Sequence, residues 1–337
     1  MKFGVFDHVD AAGRPLHSLF DERLRLVEAY DRGGFHCYHV AEHHFTPLGL
    51  ASSPSVYLAA VSQRTQHIRF GPCVYLLGLY HPLRLIEEVC MLDHLSGGRF
   101  QLGVGKGVSP FEMAYYSVDA EQATVAYLEG YQVLLKGLAE DVLTYHGSHY
   151  HFDKVPMMLR PVQQPHPPLW YGLGTLDAAG FCAEAGMNTL SIGNAAKLRS
   201  LTDRYRQAWQ AQGRSLQDLP LLGMSRHVVV AETDAQAQAI AQRAYPLWRD
   251  SLAYLWRVHG APIVRLEDSY PREWKDAERL GMVVAGAPGR VRDYVAEHTE
   301  ASGVNYFCSW FSFGDMSVDE ALTSAELFAQ DVMPGFR

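Results

Sequence analysis

The feature that most constrains this chain is a rhythm. An extended apolar run followed by an amphipathic helix recurs eight times along it. Residues 2–6 form the first run. A helix over about 18–32 follows, closed by Gly33-Gly34 as glycine often closes a helix. Further runs lie at 35–41, 68–76 and 100–104, with helices over about 53–64, 82–95 and 120–138. Four more lie at 169–173, 188–192, 223–231 and 305–311, and Thr233-Asp234 caps the helix after the seventh. Consecutive parallel strands need crossover helices, so eight such units predict an α/β fold, a closed (β/α)8 TIM barrel. An open doubly wound sheet is the other architecture these units can build.

Length then sharpens the reading. A barrel of this kind needs about 250 residues. The chain has 337, which leaves a surplus. The alternation breaks twice, over about 141–166 and about 246–287. The expectation is one barrel domain over 1–337, with insertions after the fourth helix and after the seventh strand. The second insertion is a candidate lid.

Charge and cysteine usage narrow the function classes. Net charge is −8, without the basic footprint of a nucleic-acid binder. No apolar run approaches the roughly 18 residues of a membrane span. The N-terminal segment carries Asp7 and Asp10 where a secretion signal needs apolar residues. Five scattered cysteines suit a reducing, cytoplasmic setting better than a disulfide framework.

In a barrel, chemistry sits at the C-terminal ends of the strands. Polar groups at those positions are Asp7-His8, Glu42-His43-His44, Lys106, Gly174-Thr175, Asn194 and Arg226. A histidine there can serve as acid or base near neutral pH. Adjacent side chains on an extended segment face opposite ways, so one of His43 and His44 is expected to face the pocket. The plainer reading is a structural histidine bonded to a loop carbonyl. His36, His39, His43 and His44 also crowd together, but no clear distant ligand set completes a catalytic zinc site.

Gly103 to Gly107 with Lys106 would let backbone and charge approach an anion, although glycine at a barrel corner is often only geometry. Gly174-Thr175 opens a helix whose free N–H groups suit a phosphate, or Thr175 simply caps that helix. Asp93 and Arg99 frame the Ser96-Gly97-Gly98 turn and read as an ion pair holding it.

Several segments share an order and spacing with a known family. They are Lys2-Phe3-Gly4, Gly34-Phe35, Glu42-His43-His44-Phe45-Thr46 and His81-Pro82-Leu83-Arg84. The stretch from Leu92 to Phe100, the Gly103–Gly107 loop and Asp331-Val332-Met333-Pro334 continue the series. Together they resemble the bacterial luciferase-like, flavin-dependent monooxygenases over nearly the whole chain. The resemblance implies a barrel that binds FMN as reduced FMNH2, supplied by a separate NAD(P)H-flavin reductase. It implies reaction with O2 through a C4a-hydroperoxide to oxygenate a small organic substrate.

By matching motifs, His43 corresponds to the histidine of luciferase chemistry, and Lys106, Gly174 and Thr175 correspond to the FMN phosphate site. Cys73-Val74 corresponds to a non-proline cis peptide beneath the flavin ring. A homodimer through the second and third helices is also implied, where the small apolar run Leu58-Ala59-Ala60-Val61 would let helices approach closely or would equally pack on the barrel. The stretch 246–287 matches the mobile loop of luciferase; a lid there would exclude water from the reaction.

The chain departs from the pattern at Gly105, where the light-emitting subunit has cysteine. Lys106 replaces an arginine and loses its two-pronged fork. Gly174 and Ala178 replace a glutamate and a hydroxyl. Light emission is therefore not implied. A flavin- or deazaflavin-dependent reductase and a non-catalytic flavin-binding protein are the alternative functions.

Overall fold

The computed structural model describes residues 1–11, 13–107, 109–118, 123–263 and 270–336. Its sheet is parallel throughout the barrel. The strands are β1 (Lys2–Asp7), β2 (Cys37–Val40), β3 (Arg69–Pro72), β4 (Tyr75–Leu76) and β5 (Leu102–Gly105). After a separate hairpin they continue as β8 (Leu169–Leu173), β9 (Asn188–Ser191), β10 (Leu222–Val230), β11 (Val283–Gly286) and β12 (Tyr306–Trp310).

Hydrogen bonding runs in the order β3-β2-β1-β12-β10-β9-β8-β5-β4, with β11 beside β10. The two ends of that order, β3 and β4, are one strand interrupted at Cys73-Val74, whose peptide bond is cis. The sheet therefore closes on itself, and a parallel bridge between Phe70 and Phe100 joins the same two neighbours. Counting β3 and β4 as one strand, and leaving aside β11, eight strands form the barrel expected from the sequence.

Helices α1 (Leu16–Arg32), α2 (Pro54–Arg64) and α3 (Pro82–Ser96) cover the first strands. Proline opens α2 and α3, where the missing N–H costs nothing. Gly97 stops α3 in the left-handed conformation at φ 62°. A short helix α4 (Pro110–Tyr115) precedes α5 (Ala123–Ala139). Helices α6 (Leu176–Glu184) and α7 (Ala195–Ala211) follow β8 and β9, and α8 (Asp234–Leu252) follows β10. A reciprocal cap between Thr233 and Gln236 starts α8. The apolar side chains of strands and helices form one buried cluster from Phe3 to Met333.

Two expectations need correction. The stretch 246–287 is not irregular throughout. Helix α8 continues past Pro246 to Leu252, because Ala244, Tyr245, Trp248 and Arg249 are buried on its inner face. That burial outweighs the ~3 kcal/mol penalty of an interior proline. Helix α9 (Tyr254–Val258), a helix at Trp274–Arg279 and strand β11 also lie in the stretch, while residues 264–269 fall outside the described residues.

Arg99 does not pair with Asp93. It donates to the backbone carbonyls of Ser62, Thr65, Ile68 and Ser96 and to the Thr65 hydroxyl, at 2.8–3.1 Å. Asp93 instead accepts from the backbone N and side-chain amide of Gln163. A guanidinium with five donors fits a ring of carbonyls, and a carboxylate fits the turn that supplies two N–H groups.

Leu58 and Val61 are buried, which is the barrel-packed alternative for that run. The large apolar side chains exposed on α2 and α3 are Val56, Met91 and Leu95, with Ala60 exposed beside them.

Candidate active site

Strand β2 ends at Val40, and the chain runs on through Glu42-His43-His44 beyond the strand's C-terminal end. The three side chains part there. His44 is buried. Its Nε2 lies 2.8 Å from a carboxylate oxygen of Glu42 and its Nδ1 3.0 Å from the Tyr116 hydroxyl. An ionised carboxylate only accepts, so Nε2 carries the proton and Nδ1 accepts from Tyr116. The other oxygen of Glu42 accepts from the backbone N of Leu76, tying this segment to β4.

His43 is half-buried and lines a pocket of about 420 Å³. Its Nδ1 lies 3.0 Å from Glu112 Oε1. By the same reasoning Nδ1 donates, and Nε2 is left to exchange a proton or hydrogen bond. Gly49 lets the following loop fold close over this residue; a Cβ there would stand 2.6 Å from the His43 Cβ.

Glu112 comes from α4, whose start follows from its sequence. Ser109 is the N-cap and accepts from the Glu112 backbone N, with Pro110 in the first turn. Ser-x-x-Glu is the pattern in which the glutamate side chain returns to the cap. Here the buried carboxylate goes to His43 and to the backbone N of His44 instead. The sequence reading did not single out Glu112; its Ser109-x-x-Glu112 spacing signals a capping box and nothing more.

The His43 ring stacks against His8 at 5.4 Å between centroids. Trp248 donates its indole N–H to His8 Nδ1 at 3.4 Å, which fixes the neutral Nε2–H form of His8. Burial, with His43 and His227 nearby, holds His8 well below its ordinary range. His227 is buried among Trp248, Trp310 and Phe313, at 4.0–4.7 Å between centroids, and burial lowers it in the same way.

The far wall of the pocket is apolar: Leu252, Leu255, Trp256, Pro262 and Ile263. All lie within the stretch expected to act as a lid. That stretch is fastened to α4 by the Phe111 ring, stacked on His259 at 4.4 Å and 3°. A 2.6 Å hydrogen bond joins the Tyr115 hydroxyl to His259 Nε2. Tyr75, Leu76 and Leu77 are in the core, while Phe111 and Tyr115 form this rim.

The remaining strand-end residues divide. Leu102 pairs with Leu169 and Gly103 with Trp170, so β5 and β8 are neighbours in parallel register. Lys106 therefore leaves one strand end beside Gly174 and Thr175 at the other. The Lys106 amine donates to Thr124 at 2.7 Å and is exposed. Thr175 caps α6 through the Ala178 backbone N, and a Cβ on Gly174 would meet nothing within 4 Å.

The glycines of β5 have a packing reason. A Cβ on Gly103 would collide with the Pro72 carbonyl, and one on Gly105 would stand 2.4 Å from Val74 Cγ2. They let β5 run close to the Cys73-Val74 junction.

Asp7, Asn194 and Arg226 are taken up by structure. Asp7 accepts from Val9 N and the Tyr38 hydroxyl, and Asn194 caps α7. Arg226 is spent on Tyr294, Gly193 and Ser225. His39 bonds to Tyr306 inside the barrel, whereas His43 bonds to Glu112 and His44 to Glu42 and Tyr116. A second cavity, of about 380 Å³, lies at the opposite end by Lys2, Gly34, His36 and Arg69, where barrel residues serve stability.

A (β/α)8 barrel with a half-covered histidine pocket at the C-terminal ends of its strands has the layout of a barrel enzyme. The chain belongs to the luciferase-like monooxygenase family, whose model matches residues 1–306. It is 36% identical over 333 residues to the uncharacterized protein y4wF of Sinorhizobium fredii, covering 99% of this chain and 96% of that one. It is 26% identical to the oxygenase component of the flavin-dependent trigonelline monooxygenase of Acinetobacter baylyi, covering 100% and 96%. Among solved structures, monooxygenase RslO1 of Streptomyces bottropensis superposes with a TM-score of 0.89 at 25% identity, over the whole of both chains. Among the described residues, no helix is long and apolar enough to cross a membrane.

Proposed function

We propose that this chain is the oxygenase component of a two-component, FMN-dependent monooxygenase. The observation that carries the reading is the placement of His43. Its Nδ1 is occupied by a buried carboxylate and its ring lines a pocket walled on the far side by apolar side chains.

The residues present fit an FMN phosphate. An exposed lysine and a helix N-terminus stand at adjacent strand ends, and the missing side chain of Gly174 leaves open space between strand and helix. Lys106, Gly174 and Thr175 would hold the phosphate, and Cys73-Val74 would lie under the ring. Reduced flavin, when bound, supplies two electrons to O2; the substrate supplies two more, so that one oxygen atom enters it and the other leaves as water.

The chain's own residues then have separate tasks. His43 Nε2 exchanges a proton or hydrogen bonds with the reacting groups, while Glu112 fixes the tautomer and the ring orientation. His8 and the rings of Trp248 and Trp310 form a dry wall behind His43. The 246–287 stretch acts as the lid, through Trp256, Pro262 and Ile263.

We further read residues 1–337 as one domain, on the strength of its single buried cluster. We read the protein as a cytoplasmic homodimer through α2 and α3, where Val56, Met91 and Leu95 are exposed. A separate flavin reductase is the expected partner.

The test is stopped-flow absorbance after mixing enzyme and reduced FMN with oxygen. Slow reoxidation through a spectrally distinct species, faster with substrate, is expected. One-step reoxidation at the rate of free flavin would overturn the proposal.

A further inference from the structure

The chain between α5 and β8 forms an antiparallel hairpin, β6 (Val142–His146) and β7 (His151–Pro156), outside the barrel. Its first cross-strand pair is His146 with His151. Directly paired residues project from the same face. The two imidazoles do so as a parallel stack, 4.1 Å between centroids and 5° apart.

The register then shifts. Leu143 faces Val155 and Tyr145 faces Phe152, so Thr144 stands opposite both Asp153 and Lys154. A bulge of this kind re-aims a side chain. Here it accompanies an Asp153 carboxylate that meets both rings: Oδ1 lies 2.7 Å from His146 Nε2 and Oδ2 3.2 Å from His151 Nε2.

The base of this arrangement is fixed independently. Glu129 on α5 accepts from the backbone N of Ser148, His149 and Tyr150 and from the Ser148 hydroxyl. Gly147 permits that approach, since a Cβ there would collide with the Glu129 carboxylate. The turn that sets the spacing of the two histidines is thereby tied to a barrel helix.

From this geometry we infer that His146, His151 and Asp153 form a surface site for a borderline divalent cation of the Zn2+ type. Two imidazole nitrogens and one carboxylate oxygen lie within 4.8 Å of one another. A tetrahedral zinc ion with bonds of ~2.0–2.2 Å needs its ligand atoms ~3.3 Å apart, so a small closure suffices. Neutral imidazole is the ligating form. On binding, the cation takes the place between the rings and Asp153 that hydrogen bonds now fill. Solvent supplies the fourth ligand, because all three side chains are exposed. The site lies away from the His43 pocket, so it stands apart from the flavin reading.

The experiment titrates the full chain with Zn2+ alone by calorimetry, with X-ray absorption on the loaded protein. One ion per chain is expected, in a shell of nitrogen and oxygen. His146→Ala and His151→Ala should each weaken it by at least the roughly tenfold that loss of an outer-shell partner alone costs. Circular dichroism checks that both variants fold. Absence of binding, a sulfur ligand in the shell, or affinity in both folded variants equal to that of the unaltered chain would overturn the assignment. If either variant unfolds, Asp153→Asn gives the same decision.

Discussion

Glu112 and His43 are 69 positions apart in the chain and meet at 3.0 Å. The contact joins the first turn of α4 to the segment after β2, and it takes a glutamate away from its own helix cap. A carboxylate so placed decides which imidazole nitrogen is free.

Removing either partner should separate chemistry from flavin binding. His43→Ala is expected to lower substrate-coupled turnover by about 10²–10⁴-fold, the usual worth of a general acid–base group. Glu112→Gln should lower it less and move the pH profile, because the amide no longer enforces Nδ1–H. Flavin affinity should be unchanged in both. Product formed per flavin oxidised is the readout, and full coupling in both variants would remove the pair from the reaction.

Gly105 should resist substitution for a steric reason. Gly105→Cys places a Cβ against Val74, where the backbone of the third strand cannot easily retreat. Overpacking of this kind costs ~1–3 kcal/mol. Gly174→Ala enters open space and should change stability by less than ~0.5 kcal/mol. Urea unfolding of the two variants tests the contrast; equal midpoints would contradict the packing account.

Buried histidines predict early acid sensitivity. Burial holds His8 and His227 well below the ordinary value and lowers His39 to about 3. The unfolded chain takes up these protons near its ordinary value of 6.5, while the folded chain does not. The stability they contribute is therefore complete above 6.5 and is lost as pH falls toward the folded values. Each histidine steepens the loss by ~1.4 kcal/mol per pH unit. Stability read by urea unfolding should therefore fall as the pH drops below about 6.5. A flat profile there would count against the burial of these rings.

The rim contact predicts a leak. His259→Ala removes both the stack on Phe111 and the bond from Tyr115. Oxygen consumption should continue while hydrogen peroxide per flavin rises and product falls. Measured peroxide yield equal to that of the unaltered enzyme would deny the segment a role in shielding the pocket.

The barrel was legible because each strand and helix announces itself over many residues. All eight strand positions were readable from apolar runs; the cis break at Cys73-Val74 leaves that run apolar throughout, and only the family resemblance pointed to it. Pro246 misled because local propensity knows nothing of the burial of Tyr245 and Trp248. The site was half readable. His43 stands where strand-end reasoning looks for it, whereas Glu112 belongs to a spacing that ordinarily means a helix cap. Asp93 and Arg99 misled in the same way: opposite charges near in sequence found better partners among backbone groups.

The Arg99 clamp has a consequence for how such a barrel changes over time. One guanidinium gathers carbonyls from the end of α2, from the link into β3 and from the end of α3, all at the end remote from His43. Closure is thereby anchored where no substrate arrives. Replacing the clamp with lysine would strand several carbonyls at once, so that position is costly to alter. The opposite loops bear no such duty, and a lineage can exchange them, and with them its chemistry, over an unaltered foundation.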